Sequence, residues 1–255
     1  MAAPIPPTGN ALVVGASGGI GGEFVRQLLA EARVERVIAT CRQPQQAIAL
    51  QNLTKTEPSR LTLLPLDITD EAQIAASCEK IQQDCPKLHC VINCVGLLHA
   101  AGIQPEKSLR QIEADVLLRY FQVNSIGAVL LAKHLLPLLR HGDRSIFAHI
   151  SAKIGSIGDN RLGGWYGYRA SKAALNMLMR TVAVEYSRKS PQTIVALLHP
   201  GTTATALSQP FQRHVPPEKL FSPQQTVEQL LAVIANLQSQ DSGAFFNWDG
   251  DRLPW

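Results

Sequence analysis

The chain has 255 residues, is 45% hydrophobic and carries a net charge of +4. This length and apolar content predict a single α/β domain spanning residues 1–255. The basic excess is small and unclustered, which argues against nucleic-acid binding. The apolar stretches fall well short of about 18 residues, which argues against a membrane span. Residues 1–10 lack the features of a signal peptide, so we expect a soluble, cytoplasmic protein.

The five cysteines are odd in number and contain no Cys-x-x-Cys pair. A disulfide framework is therefore not expected. No His/Cys spacing supports a zinc site either, and we predict no metal.

Apolar, strand-like runs alternate with helical periods along the chain. Strands are predicted at residues 11–14, 36–40, 61–66, 89–95, 145–150, 193–198 and 244–247. Helices are predicted at residues 19–30, 71–84, 115–139, 168–187 and 223–237. This alternation predicts a Rossmann-type, doubly wound α/β fold, with a seven-stranded parallel sheet and helices on both faces. Residues 207–222 are predicted to form a loop or lid.

A glycine-rich turn joins the first predicted strand to the first predicted helix. It consists of Gly15, Ala16, Ser17, Gly18, Gly19, Ile20 and Gly21. Such a turn presents backbone N–H groups and a helix N-terminus to a bound phosphate. Gly15 would make the turn, Gly19 would let a cofactor approach the backbone, and Gly21 would let helix and strand pack closely. Because both flanking elements are readable, the turn predicts a dinucleotide site.

The end of the second strand is where cofactor specificity is usually read. A carboxylate there binds the ribose hydroxyls of NAD, whereas an Arg suits the additional phosphate of NADP. This strand ends without a carboxylate and is followed by Arg42, whose planar guanidinium matches phosphate. We therefore predict NADP(H) over NAD(H); the alternative is a solvated surface Arg.

Asp67 and Ile68 close the third strand, where Asp67 is predicted to lie near the adenine edge of the cofactor. The alternative is that this segment only caps the next helix, through Thr69 or Asp70.

Tyr168 and Lys172 lie four residues apart at the start of an apolar-periodic helix, so they share one face. An ammonium near a phenol favours the phenolate and lowers the pKa of the phenol. Such a Tyr can donate a proton to a carbonyl oxygen as hydride arrives, or remove it from an alcohol in reverse. A single Tyr-x-x-x-Lys spacing is common by chance and needs support from the rest of the chain.

Three further segments complete a pattern that resembles the short-chain dehydrogenase/reductase superfamily over essentially the whole chain. They are Asn93-Cys94-Val95-Gly96, Val123-Asn124-Ser125-Ile126-Gly127 and Pro200-Gly201-Thr202-Thr203-Ala204-Thr205. Residues 163–166 and 248–255 are similar to the branch that contains C-factor-type and sniffer-like carbonyl reductases.

The resemblance implies a role for each matching residue. Tyr168 would be the general acid and base, Lys172 would hold the ribose and tune Tyr168, and Asn124 would anchor a relay water through its backbone carbonyl. A Thr of the Pro-Gly turn would contact the nicotinamide amide. The remaining implied cofactor contacts are Asn93, Gly96, Pro200, Gly201, Thr203 and Thr205.

The chain departs from this family pattern at the tip of the fifth strand. The family serine that steadies the substrate oxygen falls on Ala152, and Ser151 lies one residue early. On a strand, Ser151 would face the opposite side. A turn could re-aim it, and Ser156 in the following loop is a second candidate; alternatively both are ordinary turn serines. Ser151 is kept as the predicted fourth catalytic residue.

The predicted function is hydride transfer between NADP(H) and a small carbonyl or alcohol substrate. The alternative is a catalytically weak or inactive cofactor-binding protein on the same fold, which Ala152 favours. The resemblance also suggests pairing through the helices at 115–139 and 168–187, as a homodimer or homotetramer. Alternatively, both helices simply cover the sheet of a monomer.

Overall fold

The computed structural model describes residues 8–255, apart from the side chain of His214. In chain order the strands are β1 Gly9–Val14, β2 Val34–Cys41, β3 Leu61–Pro65, β4 Cys90–Asn93, β5 Ser145–Ile150, β6 Thr193–His199, β7 Thr202–Thr203, β8 Leu220–Phe221 and β9 Ala244–Asn247. The α-helices are α1 Gly19–Ala30, α2 Ile48–Thr56, α3 Glu71–Asp84, α4 Ala114–Phe121, α5 Gly127–Leu139, α6 Tyr166–Lys189 and α7 Pro223–Asn236.

Seven strands form one parallel sheet in the order β3-β2-β1-β4-β5-β6-β9. The order reverses between β1 and β4, and ligands of such sheets bind at the carboxyl ends of the strands near this point. The predicted fold is confirmed.

Alternate residues of each central strand feed two apolar cores, one on each face of the sheet. Val13 of β1 packs with Phe24 of α1 and Val227 of α7 on one face. Leu12 of β1 packs with Ile74 of α3 and residues of α5 and α6 on the other. A smaller apolar cluster surrounds Tyr168 above the sheet.

The predicted elements are confirmed with shifts at their ends. The predicted fourth strand is too long, because the Asn93 side chain accepts the Val95 N–H at 3.1 Å and turns the chain. Helix α6 begins at Tyr166, two residues earlier than predicted. Helix α2 was not predicted; Leu50 and Leu53 pack it against a core that is formed mostly by distant parts of the chain.

The long helix over the sheet is continuous from Ala114 to Leu139. A π-helical turn at Gln122–Ile126 joins α4 to α5. By length and composition alone this 26-residue helix could cross a membrane, and half of its apolar window is buried inside the protein. Core helices of soluble proteins have the same properties, so this is weak evidence for a membrane span.

The substitution Gly21→Ala tests the close packing of α1 on β1. A Cβ at this position would lie 2.3 Å from the carbonyl oxygen of Gly15, which is fixed backbone. We expect the free energy of unfolding in urea to fall by about 1–3 kcal/mol. Gly18→Ala is the control, since its Cβ would meet nothing closer than 3.5 Å. An equal loss in both variants would contradict the explanation.

Candidate active site

A cavity of about 520 Å³ opens at the carboxyl ends of β1, β4, β5 and β6. Residues of the glycine turn line it together with Tyr168 and Lys172. A second cavity of about 780 Å³ adjoins the same turn, where Ser17 and Arg42 contribute to its wall. The structure therefore brings together residues that are more than 150 positions apart in the chain.

The glycine turn has the geometry of a phosphate cradle. Gly15 adopts a φ of 81°, and its N–H donates to the Thr40 carbonyl at 3.0 Å. The first N–H groups of an α-helix have no acceptor within the helix, and the residues at this end of α1, Gly18, Gly19 and Ile20, line the cavity. The open backbone and the positive end of the helix fit the pyrophosphate of a dinucleotide.

The end of β2 carries the predicted cofactor-specificity residues. Arg42 is exposed, and among residues 8–255 no ion pair links it to a carboxylate. Cys41, the last residue of β2, is a buried free thiol, and burial raises its pKa. The guanidinium is thus free to meet an anion at this edge of the second cavity.

The end of β3 holds the segment predicted to approach the adenine. Asp67 accepts hydrogen bonds from the Thr69 N–H and hydroxyl at 2.9 and 2.7 Å. Asp70 caps α3 by accepting the Gln73 N–H at 3.1 Å, as the alternative interpretation predicted. The Ile68 carbonyl would lie 2.4 Å from a Cβ on Gly127 and so packs against the start of α5. Adenine contacts of Asp67 and Ile68 stay predictions.

Tyr168 and Lys172 are both buried on the first turns of α6. The Lys172 Nζ lies 5.9 Å from the centroid of the Tyr168 ring and donates to the Ile150 carbonyl at 2.9 Å. Burial lowers the pKa of Lys172 to about 8. Burial also raises the pKa of Tyr168 far above its ordinary value, and Tyr120 adds to this increase.

This raised pKa differs from the sequence argument, which expected the ammonium to lower the pKa of the phenol. Removal of the Tyr168 phenol from water is the largest cause, and it outweighs any attraction of the Lys172 ammonium, 5.9 Å from the ring centroid. Tyr168 therefore keeps its proton at neutral pH. It is in the form that a proton donor needs.

Asn124 lies in the π-helical turn between α4 and α5, a feature that occurs often at functional sites. Its side chain accepts the Leu97 N–H at 2.7 Å and donates to the Leu97 carbonyl and the Ser171 hydroxyl, both at 2.9 Å. Asn124 thus ties the loop after β4 to α6. Its predicted part in a proton relay stays a prediction.

Ser151 lies in the cavity wall, but its hydroxyl points to α6. The Ser151 Oγ donates to the Asn176 Oδ1 at 2.6 Å, and both residues are buried. Because this bond uses the only hydroxyl proton, Ser151 does not also donate to a substrate oxygen in this arrangement. Ala152 instead packs against the cluster that contains Tyr168. Ser156 is buried and accepts the Asp159 N–H.

The turn after β6 closes over the glycine turn. A Cβ on Gly19 would lie 2.7 Å from the Thr205 Cγ2, so these two segments touch. The Thr203 hydroxyl forms a hydrogen bond of 2.9 Å with the Thr226 hydroxyl of α7. Pro200 and Gly201 line the same cavity, and Gly201 adopts a φ of 70°.

Two predicted cofactor residues lie at the end of β4: Asn93 is its last residue, and Gly96, three residues later, lies beside Lys172. A Cβ on Gly96 would lie 3.6 Å from the Lys172 Nζ. The Asn93 side chain is buried and pairs with the His149 Nδ1 at 3.3 Å. Asn93 thus braces the strand ends, and its cofactor contact stays a prediction.

Two buried polar residues near the site were not predicted. Glu106 is 2% exposed, and its Oε2 accepts the Gly167 N–H at 3.2 Å, beside Tyr168. His149 is fully buried on β5, and burial lowers its pKa to about 3. No spacing or motif marks either residue, since their importance depends on burial by elements distant in sequence.

His149 makes the protein sensitive to acid. The unfolded imidazole has a pKa near 6.5, whereas the folded one has a pKa of about 3. As the pH falls below about 6.5, only the unfolded chain takes up this proton, so stability is lost by up to roughly 1.4 kcal/mol per pH unit. Between pH 6 and 4.5, we expect the free energy of unfolding of His149→Asn to fall by about 2 kcal/mol less than that of the native protein. Urea titrations at the two pH values measure this difference. His134→Asn makes the same substitution at a partly buried histidine of α5 and is the control for the substitution itself.

The amino-acid pattern matches the family model described as short chain dehydrogenase over residues 9–216. The chain belongs to the short-chain dehydrogenase family. The resemblance to this family stated from the sequence is thereby confirmed. The branch of C-factor-type and sniffer-like carbonyl reductases is confirmed by the relatives and solved structures that follow.

Two curated relatives and two solved structures illustrate the similarity. The chain is 32% identical over 244 residues to 1-hydroxy-2-glutathionyl-2-methyl-3-butene dehydrogenase of Rhodococcus sp. (strain AD45), covering 96% of this chain and 98% of that protein. It is 33% identical over 148 residues to C-signal of Myxococcus xanthus, and the match covers 58% of this chain and 84% of that protein.

Among solved structures, NADPH-bound carbonyl reductase from chicken fatty liver has a TM-score of 0.87 and 32% identity, covering 98% of this chain and 100% of that one. The carbonyl reductase Sniffer of D. melanogaster has a TM-score of 0.86 at 24% identity, covering 97% and 100%, and supports the shared fold. This short-chain dehydrogenase is therefore an oxidoreductase of that family.

Proposed function

We propose that this short-chain dehydrogenase is an NADP(H)-dependent carbonyl reductase. The observation that carries the proposal is one cavity that runs from the N-terminus of α1 to the Tyr168 and Lys172 side chains. When bound, the nicotinamide cofactor supplies hydride. The chain's own residues then have to orient the substrate and deliver a proton.

Tyr168 is the proposed proton donor. It holds its phenolic proton at neutral pH and faces the cavity. As the C=O double bond of the substrate opens, the carbonyl carbon gains hydride and the oxygen gains the Tyr168 proton, giving an alcohol. Lys172 holds the cofactor ribose and favours the phenolate left behind, and the backbone carbonyl of Asn124 anchors a water that returns the proton.

The test is the loss of reduced nicotinamide absorbance with a panel of aldehydes and ketones. We expect turnover of at least one carbonyl compound with NADPH and reversal with the matching alcohol and NADP⁺. Tight cofactor binding by calorimetry without turnover across the panel would favour the alternative, a cofactor-binding protein. Ala152 is the observation that supports this alternative, because the family hydroxyl is missing beside Tyr168.

Arg42 is proposed to bind the 2′-phosphate of NADP(H). Its free, exposed guanidinium and the absence of a carboxylate at the end of β2 support NADP(H) over NAD(H). We expect Arg42→Ala to raise the Kd for NADPH about 10-fold or more and leave the Kd for NADH within about 2-fold, since one charged hydrogen-bond partner is lost. Arg33→Ala removes the same charge at the opposite end of β2. Equal effects on both cofactors, or none, would exclude this role.

The remaining predictions extend the proposal. All five cysteines are free thiols, four of them buried, which supports the cytoplasm as the compartment.

Leu118 on α4 and Met177 on α6 are 61% and 68% exposed, which supports pairing of copies through these helices. Light scattering distinguishes a dimer or tetramer from a monomer. We further propose that residues 1–255 act as one domain carrying both cofactor and substrate sites.

A further inference from the structure

The cavity that contains Tyr168 has an apolar and partly aromatic stretch of wall. This wall comes from Leu98, Ala152, Ile154, Trp165, Leu207 and Phe211. Among the described residues that line the whole cavity, Lys172 carries the formal charge, and its ammonium is directed to the Ile150 carbonyl. The substrate end of the cavity therefore offers aromatic surface and one proton donor.

Trp165 holds an unusual backbone conformation at the mouth of this cavity. Its φ of 52° and ψ of 45° make it the one non-glycine residue with a positive φ among residues 8–255. Bulky side chains rarely adopt this region, whereas glycine does so freely. Gly163 and Gly164 precede it with φ of 65° and 66°. A strained residue beside a candidate active site, where glycine would fit without strain, points to a use for the indole.

The indole ring lies against both the proton donor and the predicted lid. Its centroid is 6.2 Å from that of Tyr168, nearly edge-on, and 4.8 Å from that of Phe211. Phe211 belongs to a 3-10 helical segment at Gln209–His214, within the predicted loop or lid. Trp165 and Phe211 thus form a continuous surface, named here the aromatic wall, directly beside the Tyr168 ring.

Both halves of the aromatic wall are fixed by hydrogen bonds. The Arg169 guanidinium donates to the carbonyls of Gly164, Gly163 and Ile154 at 2.9, 3.1 and 3.2 Å. Its charge is therefore engaged by the loop that carries Trp165.

On the lid side, the His99 Nε2 lies 3.2 Å from the carbonyl oxygens of both Ala206 and Leu207. Its ring also meets Phe211 edge-on at 5.9 Å. The aromatic wall is thus formed before any substrate arrives, which reduces the entropy lost on binding.

We propose that the aromatic wall determines substrate specificity, and that it selects uncharged carbonyl compounds whose carbonyl carbon is attached to a flat ring. A flat ring gains area and edge contacts from Trp165 and Phe211. A carboxylate on the same ring would lose its hydration against an aromatic wall that offers no free cation, so its binding would be unfavourable. The inference rests on the proposed reductase activity.

The kinetic test uses two aldehydes that differ in charge, methyl 4-formylbenzoate and 4-carboxybenzaldehyde, with propanal as the substrate without a ring. We expect kcat/KM for the ester to exceed that for the acid at least tenfold. Trp165→Gly suits the backbone at this position and should lower the ester-to-propanal ratio of kcat/KM at least tenfold. Trp255→Phe, whose ring stacks on Phe245 outside the cavity, should leave this ratio unchanged.

A binding test gives a readout independent of turnover. With NADP⁺ present, calorimetry should detect 4-methylbenzamide, which resists reduction, at least tenfold more tightly than 4-methylbenzoate. Trp165→Gly should raise the Kd for 4-methylbenzamide at least tenfold. If the thermal unfolding of Trp165→Gly is not cooperative, Phe211→Ala is tested in its place.

The two proposals fail in different ways. Equal kcat/KM for ester and acid, or an unchanged ester-to-propanal ratio in Trp165→Gly, overturns the role of the aromatic wall. Selective binding of the amide without turnover of any aldehyde keeps that role and overturns the reductase proposal.

Discussion

Tyr168→Phe is expected to reduce kcat for carbonyl reduction by about 10²–10⁴-fold, because a positioned proton donor contributes about this much. The phenol is 7% exposed at the end of the cavity, and it retains its proton at neutral pH. The substitution removes one oxygen and leaves the ring contacts with Tyr120 and Trp165 in place. Stopped-flow and steady-state reduction of the best aldehyde of the panel measure the effect.

Tyr166→Phe is the matched control for this prediction. Tyr166 lies on the same helix, is 36% exposed and does not line the cavity. Its variant should keep kcat within about twofold, and the NADPH Kd of both variants should match that of the native protein. Turnover in Tyr168→Phe close to the native rate would remove the proposed proton donor.

Ala152→Ser is expected to increase kcat for carbonyl reduction about 10-fold or more. Removing one oxyanion donor from an active site costs about 10²–10³ in rate, and adding one should recover part of this amount. Ala152 lines the cavity and packs against the cluster that contains Tyr168, so a hydroxyl there would face the reacting oxygen. KM for the aldehyde should change less than kcat, because the new hydrogen bond strengthens as charge develops.

Two further variants make this second prediction decisive. Ala170→Ser adds the same hydroxyl at an exposed position of α6 and should leave kcat unchanged. Ser151→Ala should change kcat less than 10-fold, because the native hydroxyl donates to Asn176 and not into the cavity. A loss of 10²-fold in Ser151→Ala, with no gain in Ala152→Ser, would restore Ser151 as the substrate-oxygen donor predicted from the sequence.

The strands, the helices and much of the candidate site follow from local patterns. The glycine turn, the Tyr168–Lys172 spacing and the lack of an acid before Arg42 depend on neighbours within a few residues. The helical and strand periods predict that these segments lie at the carboxyl edge of the sheet, and this prediction requires no side-chain contacts. For this reason the fold and the family could be predicted from the sequence.

Tertiary structure alone decided how the site is tuned. The pKa of Tyr168 rises because residues from α4 and the loop after β4 remove it from water, and the Ser151 hydroxyl turns because Asn176, 25 residues away, accepts it. The left-handed Trp165 is held by Glu106, from a loop nearly 60 residues upstream. Burial and hydrogen-bond partners come from segments distant in sequence, whereas periodicity and spacing report only the near ones.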